Sequence, residues 1–208
     1  MSDEKETVFI VDDDAAVRDS LSLLMKSVGL AARTHASGDE FLEAFDDGWR
    51  GCILLDIRMP GLSGMEVQRR LAEQSCKLPI IFITGHGDIP MAVEAMHLGA
   101  YDFVQKPFHD QELLDRIQQA LTAHRQQQDE LAIMESVQQR FDSLTPREQE
   151  VMSAVVKGHA NKVIAMDLEL SQRTVEIHRA RVMEKMAARS LAELVRLSLL
   201  IPSQTQGE

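Results

Sequence analysis

Val8-Phe9-Ile10-Val11-Asp12-Asp13-Asp14 decides the fold of this 208-residue chain. Four apolar residues, three of them β-branched, read as a strand buried on both faces, and the run stops at three carboxylates. The pattern recurs outward from there. Cys52-Ile53-Leu54-Leu55 ends at Asp56, residues 80–83 end at Thr84, and residues 102–105 end at Lys106-Pro107. Amphipathic stretches alternate with these runs. Residues 15–28 have helical spacing, with Val17, Leu21, Leu24 and Val28 on one face. Ser37-Gly38-Asp39-Glu40 carries the capping-box pattern of a helix start. Residues 64–74, 91–98 and the stretch from Asp110 onward also read as helices. Five strand–helix pairs predict an α/β domain, a doubly wound five-stranded parallel sheet with helices on both faces.

The remainder is helical. Residues 123–142 are polar and Gln-rich, yet Leu131, Met134, Val137 and Phe141 keep helical spacing. They predict a helical linker, continuous with the preceding helix, serving as a solvated spacer or as a short dimer-forming coil. Thr145-Pro146-Arg147-Glu148 predicts the cap, first-turn proline and third-position Glu of a helix that stops at Gly158. Residues 161–168, a tight Glu169-Leu170 turn and a Ser171-capped helix to about Met186 form a helix-turn-helix. Ser190-Leu191-Ala192-Glu193 opens a last helix, and residues 203–208 are expected to fray. The domains expected are therefore residues 1–122, a linker over 123–142, and a small all-α domain over 143–208.

Hydrophobic residues make up 44% of the chain, enough for packed cores. No apolar run approaches the ~20 residues of a membrane span. The polar, acidic start is not that of a secretory signal. Cys52 and Cys76 show no metal or disulfide framework and read as reduced thiols, which predicts a cytoplasmic protein. The formal net charge of −11 argues against nucleic acid until it is divided. Residues 1–122 carry net −10, whereas residues 143–201 carry net +2.

In a doubly wound sheet, ligands bind at the carboxyl ends of the strands. Asp12, Asp13, Asp56, Thr84 and Lys106 all fall there. Three close carboxylates repel one another, and a hard divalent cation, Mg²⁺ or Mn²⁺, would keep them ionised. Asp56, on a central strand, is the candidate nucleophile for phosphoryl transfer, with the Lys106 ammonium and Thr84 hydroxyl beside it.

These residues resemble the receiver domain of two-component response regulators. The resemblance covers residues 7–122 and rests on Val11-Asp12-Asp13-Asp14, Asp56-Ile57-Arg58-Met59-Pro60-Gly61, Gly64, Thr84 and Lys106-Pro107-Phe108. The stretch over 84–96 is similar to the FixJ-type subgroup. The resemblance implies the CheY-like, flavodoxin-like fold and phosphorylation of Asp56 by a sensor histidine kinase. It also implies Mg²⁺ held by Asp12, Asp13, Asp56 and the Arg58 carbonyl, with Thr84 and Phe103 as a coupled switch. Many receivers carry Tyr where Phe103 stands, so signalling here would rest on ring burial. His86 and Arg58, two residues after Thr84 and Asp56, face the phosphoryl group in such domains.

The helix over 171–186 is read on a wheel of 100° per residue. Val175, His178, Val182 and Met186 share an inward face. Arg173, Glu176, Ile177, Ala180 and Arg181 lie opposite, with Arg179 on one flank and Thr174 and Lys185 on the other. A varied face between cationic flanks suits major-groove docking, the flanks neutralising phosphates while the centre meets base edges. Ala180 is small enough to meet a thymine methyl, and Glu176 can accept from cytosine.

Residues 143–201 resemble the LuxR-type (NarL/FixJ) DNA-binding domain. Leu144-Thr145-Pro146-Arg147-Glu148, Asn161-Lys162-Val163-Ile164-Ala165, Ser171 with Thr174-Val175 and His178, and Ser190–Leu194 carry the match. Lys162 joins the candidate DNA contacts. Some relatives have lysines where Glu176 and Ala180 stand, so the DNA sequence does not carry over. Together the resemblances imply a regulator rather than an enzyme. Its partners would be the kinase, double-stranded promoter DNA, a second copy after phosphorylation, and RNA polymerase, with activation the commoner outcome and no role for a membrane. Two rivals stand beside this reading. One is a Mg²⁺-dependent phosphotransferase acting through Asp56, which would want a second Asp where Arg58 stands. The other is an output acting on protein or RNA.

Overall fold

The computed structural model describes residues 6–85 and 89–201. His86 and the tail over 203–208 lie outside them. The chain divides into two compact units, residues 1–127 and 128–208.

In the first unit, β1 (Thr7–Val11), β2 (Ala31–His35), β3 (Gly51–Asp56), β4 (Ile80–Thr84) and β5 (Asp102–Gln105) form one parallel sheet. Their order is β2-β1-β3-β4-β5, the doubly wound arrangement expected. The helices are α1 (Ala15–Ser27), α2 (Gly38–Ala44), α3 (Gly64–Glu73), α4 (Ile89–His97) and the first part of α5 (Asp110–Asp142). Strand alternation sends side chains to two cores. Phe9, Val11, Ile53, Leu55 and Phe82 pack with Phe41, Val67, Leu71 and Ala95 of α2, α3 and α4. Val8, Ile10, Leu54, Ile81 and Ile83 pack with Leu21, Met25, Leu113 and Ile117 of α1 and α5.

Three local expectations shift. No apolar run marks β2, an edge strand that reads Ala-Ala-Arg-Thr-His and is buried only at His35. On α1 the buried face runs through Leu21 and Met25; Val28 is the helix cap and is 46% exposed. The Ser37 cap forms, accepting from the Glu40 amide, but Glu40 Oε2 accepts from Ala36 N, one residue before the expected partner.

The second unit holds the rest of α5 with α6 (Pro146–Val156), α7 (Asn161–Asp167), α8 (Gln172–Lys185) and α9 (Leu191–Ser198). Both halves of the Thr145–Glu148 capping box are present. The core joins Val151, Met152, Val155, Ile164, Val175, Val182, Met186 and Leu194. Val137 is 2% exposed within this core, and Phe141 packs against it. Residues read as linker thus carry part of the output core. The stripe that includes them buries at its end, while Leu131 and Met134 remain exposed.

Candidate functional site

The chain leaves β1 for edge strand β2 and returns past β1 to β3. This reversal opens a crevice at the carboxyl ends of β1 and β3. Asp12 and Asp13 follow β1, and Asp56 ends β3. A carboxylate oxygen from each lies within 4.8 Å of the other two. Lys106, directly after β5, reaches across, with Nζ 2.8 Å from Asp12 Oδ2 and 3.8 Å from Asp56 Oδ2. Its amide donates to the Thr84 carbonyl at 2.7 Å, which sets the two expected partners side by side. Thr84 is 2% exposed, and its hydroxyl donates to the Gly85 carbonyl at 3.0 Å. Phe103 is half-buried against the core that α2, α3 and α4 cover. Arg58 is exposed two residues beyond Asp56.

Burial pushes the Asp56 carboxyl up to about 6. The Lys106 charge pulls it down, and the Asp12 and Asp13 charges push it further up. The donor chemistry fits a hard divalent cation: three convergent carboxylates with a single ammonium on one side.

Two supporting roles escaped the sequence reading, although Gly64 itself is among the residues quoted there. Arg18 Nη1 donates to the Asp12 carbonyl at 2.7 Å and the Asp13 carbonyl at 2.9 Å, clamping the acidic loop from the first turn of α1. Only its spacing from Asp12 hinted at this. Gly64 lets α3 start against β3, since a Cβ there would lie 2.3 Å from the Asp56 carbonyl oxygen.

In the second unit, α7, a short turn and α8 form the helix-turn-helix. Glu169 turns with φ 55°, and Ser171 caps α8 by accepting from the Thr174 amide at 3.0 Å. Val175 and Val182 are fully buried, which points the opposite face outward. Arg173, Glu176, Ile177, Ala180 and Arg181 are all exposed there, and Lys162 is exposed on α7. The flanking residues differ from expectation. Lys185 Nζ contacts Glu148 Oε2 at 2.6 Å and the Ser143 carbonyl at 3.1 Å. Glu148 is 2% exposed, so this ammonium compensates a buried carboxylate. The Lys185 hydrogen bond and the capping amide of Thr145 hold the Glu148 carboxyl below its usual range. Arg179 is half-buried, and its Nη1 donates to Asn161 Oδ1 at 3.1 Å, tying α8 to α7. Thr174 shares a 2.7 Å hydroxyl contact with Ser171.

No helix among the described residues is long and apolar enough to cross a membrane. The response regulator receiver domain family matches residues 8–118, and the luxR family of bacterial regulatory proteins matches residues 142–198. Transcriptional regulatory protein FixJ of Bradyrhizobium diazoefficiens is 44% identical over 195 residues, spanning 94% of this chain and 95% of that protein. Response regulator protein TodT of Pseudomonas putida is 43% identical over 198 residues, spanning 95% and 87%. Among solved structures, response regulator StyR has a TM-score of 0.87 at 45% identity, covering 94% of this chain and 98% of that one. Full-length FixJ from B. japonicum has a TM-score of 0.61 at 43% identity, covering 94% and 97%. The receiver sheet with its acidic crevice, followed by the helix-turn-helix, places the chain in one family: it belongs to the two-component response regulators and is a transcriptional regulator with a receiver domain and a LuxR-type DNA-binding domain.

Proposed function

We propose that a sensor histidine kinase phosphorylates Asp56, and that the phosphoryl group favours a homodimer that binds double-stranded promoter DNA. The observation that carries this reading is the crevice, where Asp12, Asp13 and Asp56 converge and Lys106 reaches two of them. In the transfer, an Asp56 carboxylate oxygen forms the new bond to phosphorus as the bond to the kinase histidine nitrogen breaks. Asp12, Asp13, Asp56 and the Arg58 main-chain carbonyl would hold Mg²⁺, with Mn²⁺ as a substitute. When bound, the ion supplies positive charge that lets the carboxylates stay ionised beside a phosphoryl oxygen.

Lys106 then compensates charge on the phosphoryl group, and the Thr84 hydroxyl turns from the Gly85 carbonyl to donate to it. Phe103 follows inward. The surface over residues 90–105 changes with them, and Val93, Met96 and Leu98 stand exposed there for a second receiver. Moving a 1:99 equilibrium to 99:1 takes about 5.5 kcal/mol of differential stabilisation, within reach of new charge-assisted bonds plus an interface.

The proposed organisation is a receiver over 1–122, a helical link over 123–142 and an output domain over 143–208. Val137 and Phe141 of the link are structurally part of the output. Dimerisation brings two α8 helices to a two-fold symmetric site. We read the protein as cytoplasmic, and as an activator that meets RNA polymerase at the promoter. Within the output, Lys162, Arg173 and Arg181 are the phosphate contacts, Arg179 orients α8 through Asn161, and Thr174 belongs to the cap.

Beryllofluoride with Mg²⁺ is expected to double the mass of the wild-type chain in light scattering and to leave Asp56→Asn monomeric. Unchanged mass in the wild type would overturn the dimer reading. Promoter binding is expected to weaken steeply with salt, and Arg173→Ala or Arg181→Ala to reduce that slope by about one contact each. Salt-independent binding would overturn the phosphate assignment.

A further inference from the structure

The exposed face of α8 carries a carboxylate where the partner is a polyanion. Glu176 lies in its second turn, on the same face as Ile177 and Ala180 and between Arg173 and Arg181. Neutralisation would be the ordinary explanation for such a group. Arg173 and Arg179 both lie three residues away, at helical pairing distance. Yet Arg179 is turned to Asn161, and among the described residues Glu176 has no ion pair or side-chain hydrogen bond. The remaining polar flank of the helix is committed elsewhere, Thr174 to its cap and Lys185 to Glu148.

An unpaired carboxylate near phosphates is repelled unless a donor in the groove receives it. The major groove offers two base donors, cytosine N4–H and adenine N6–H. Adenine presents its N7 acceptor beside N6, and N7 repels the second carboxylate oxygen. Cytosine presents no such acceptor at its groove edge. The early turns of a recognition helix are the part that meets base edges.

We propose that Glu176 reads a C·G base pair in each half-site, accepting a hydrogen bond from cytosine N4. This rests on the DNA-binding reading above. It also makes Glu176 a negative determinant: the carboxylate weakens binding to every sequence that places an acceptor there. Glu184 supplies an internal control. It shares the exposed face, but it stands about 12 Å further along the axis, in the last turn of α8.

The test is selection from a random duplex library by the beryllofluoride-activated full chain and three variants. The wild type is expected to enrich cytosine at one position of each half-site. Glu176→Gln, nearly isosteric and exposed, is expected to exchange that cytosine for adenine, which glutamine pairs in bidentate fashion. Glu176→Ala is expected to lose about ten-fold discrimination at that position while binding non-specific duplex as tightly or more tightly. Glu184→Gln is expected to keep the wild-type site. An unchanged cytosine in Glu176→Gln overturns the proposal. So does a loss of guanine elsewhere in the site, which would mean that Glu176 only orients a neighbouring arginine. If the wild type enriches no sequence, the DNA-binding reading fails, and this one falls with it.

Discussion

At the scale of single residues, both units place charge where burial makes it costly. Asp56 sits in a crevice that raises its carboxyl to about 6 from an ordinary value near 3.8. In the metal-free protein its negative charge therefore opposes folding above about pH 6, and the opposition fades as pH falls from there toward 4. Asp56→Asn is expected to stabilise the metal-free protein by about 1–2 kcal/mol at pH 7, the full worth of the shift being reduced by solvent screening, and to change little at pH 4. Urea melts of the receiver transition at the two pH values measure this. Glu148 has the opposite sign. Its carboxyl is held low, so its stabilisation is full above the usual Glu range and is lost as pH falls through the lowered value. Lys185→Ala leaves that carboxylate buried without its cation and is expected to cost the output unit about 2 kcal/mol at neutral pH. This is below the cost for a fully buried pair, because Lys185 is a third exposed. The loss shrinks in acid as Glu148 protonates. If Lys185→Ala instead left stability unchanged and flattened the salt dependence of DNA binding, the phosphate role read from the helical wheel would be restored.

At the scale of elements, short-range chemistry starts the helices. Ser63 and Thr145 each complete a capping box, and Ser37, Ser171 and Ser190 accept from the third amide of their helices. The caps at Ser37, Thr145, Ser171 and Ser190 were legible because a cap involves residues three apart in the chain, whereas the Ser63 cap was not read from the sequence. Helix ends are less economical. After α8 the chain turns through Ala187 at φ 52°, with Ala188 N donating to the Met183 carbonyl at 2.9 Å. That position favours glycine, and Ala187 is exposed, so its methyl group supports no packing. Ala187→Gly is expected to stabilise the output unit by about 0.5–1 kcal/mol, read as a higher denaturant midpoint at unchanged slope. A destabilised variant would mean that glycine's freedom in the unfolded chain outweighs the relieved backbone. Edge strand β2 was counted without assigned residues for a related reason. A strand covered on few sides needs no apolar run, and its pairing with β1 is visible only in the sheet.

At the scale of the whole molecule, charge is divided between units with different tasks. The receiver's negative charge includes the carboxylates of its crevice, and residues 143–201 carry only net +2. One output unit with so small an excess is expected to bind its site weakly and to depend on pairing. A fragment over residues 128–208, which keeps Val137 and Phe141 in its core, is expected to bind a selected promoter site at least ten-fold more weakly than the activated full chain. Titration by fluorescence anisotropy at fixed salt measures this, and equal affinities would remove the need for a dimer. The sequence alone determined the alternation of strands and helices, the five polar residues at four strand ends and the outward face of α8, because each is written in local periodicity or in residues that end a run. Only the tertiary structure decided which side chains serve one another. It drew Lys185 to Glu148, Arg179 to Asn161 and Arg18 to the acidic loop, and it buried Val137 in the output core. These are choices between water and a partner remote in the chain or on another element, and their free energies depend on burial that no local pattern records.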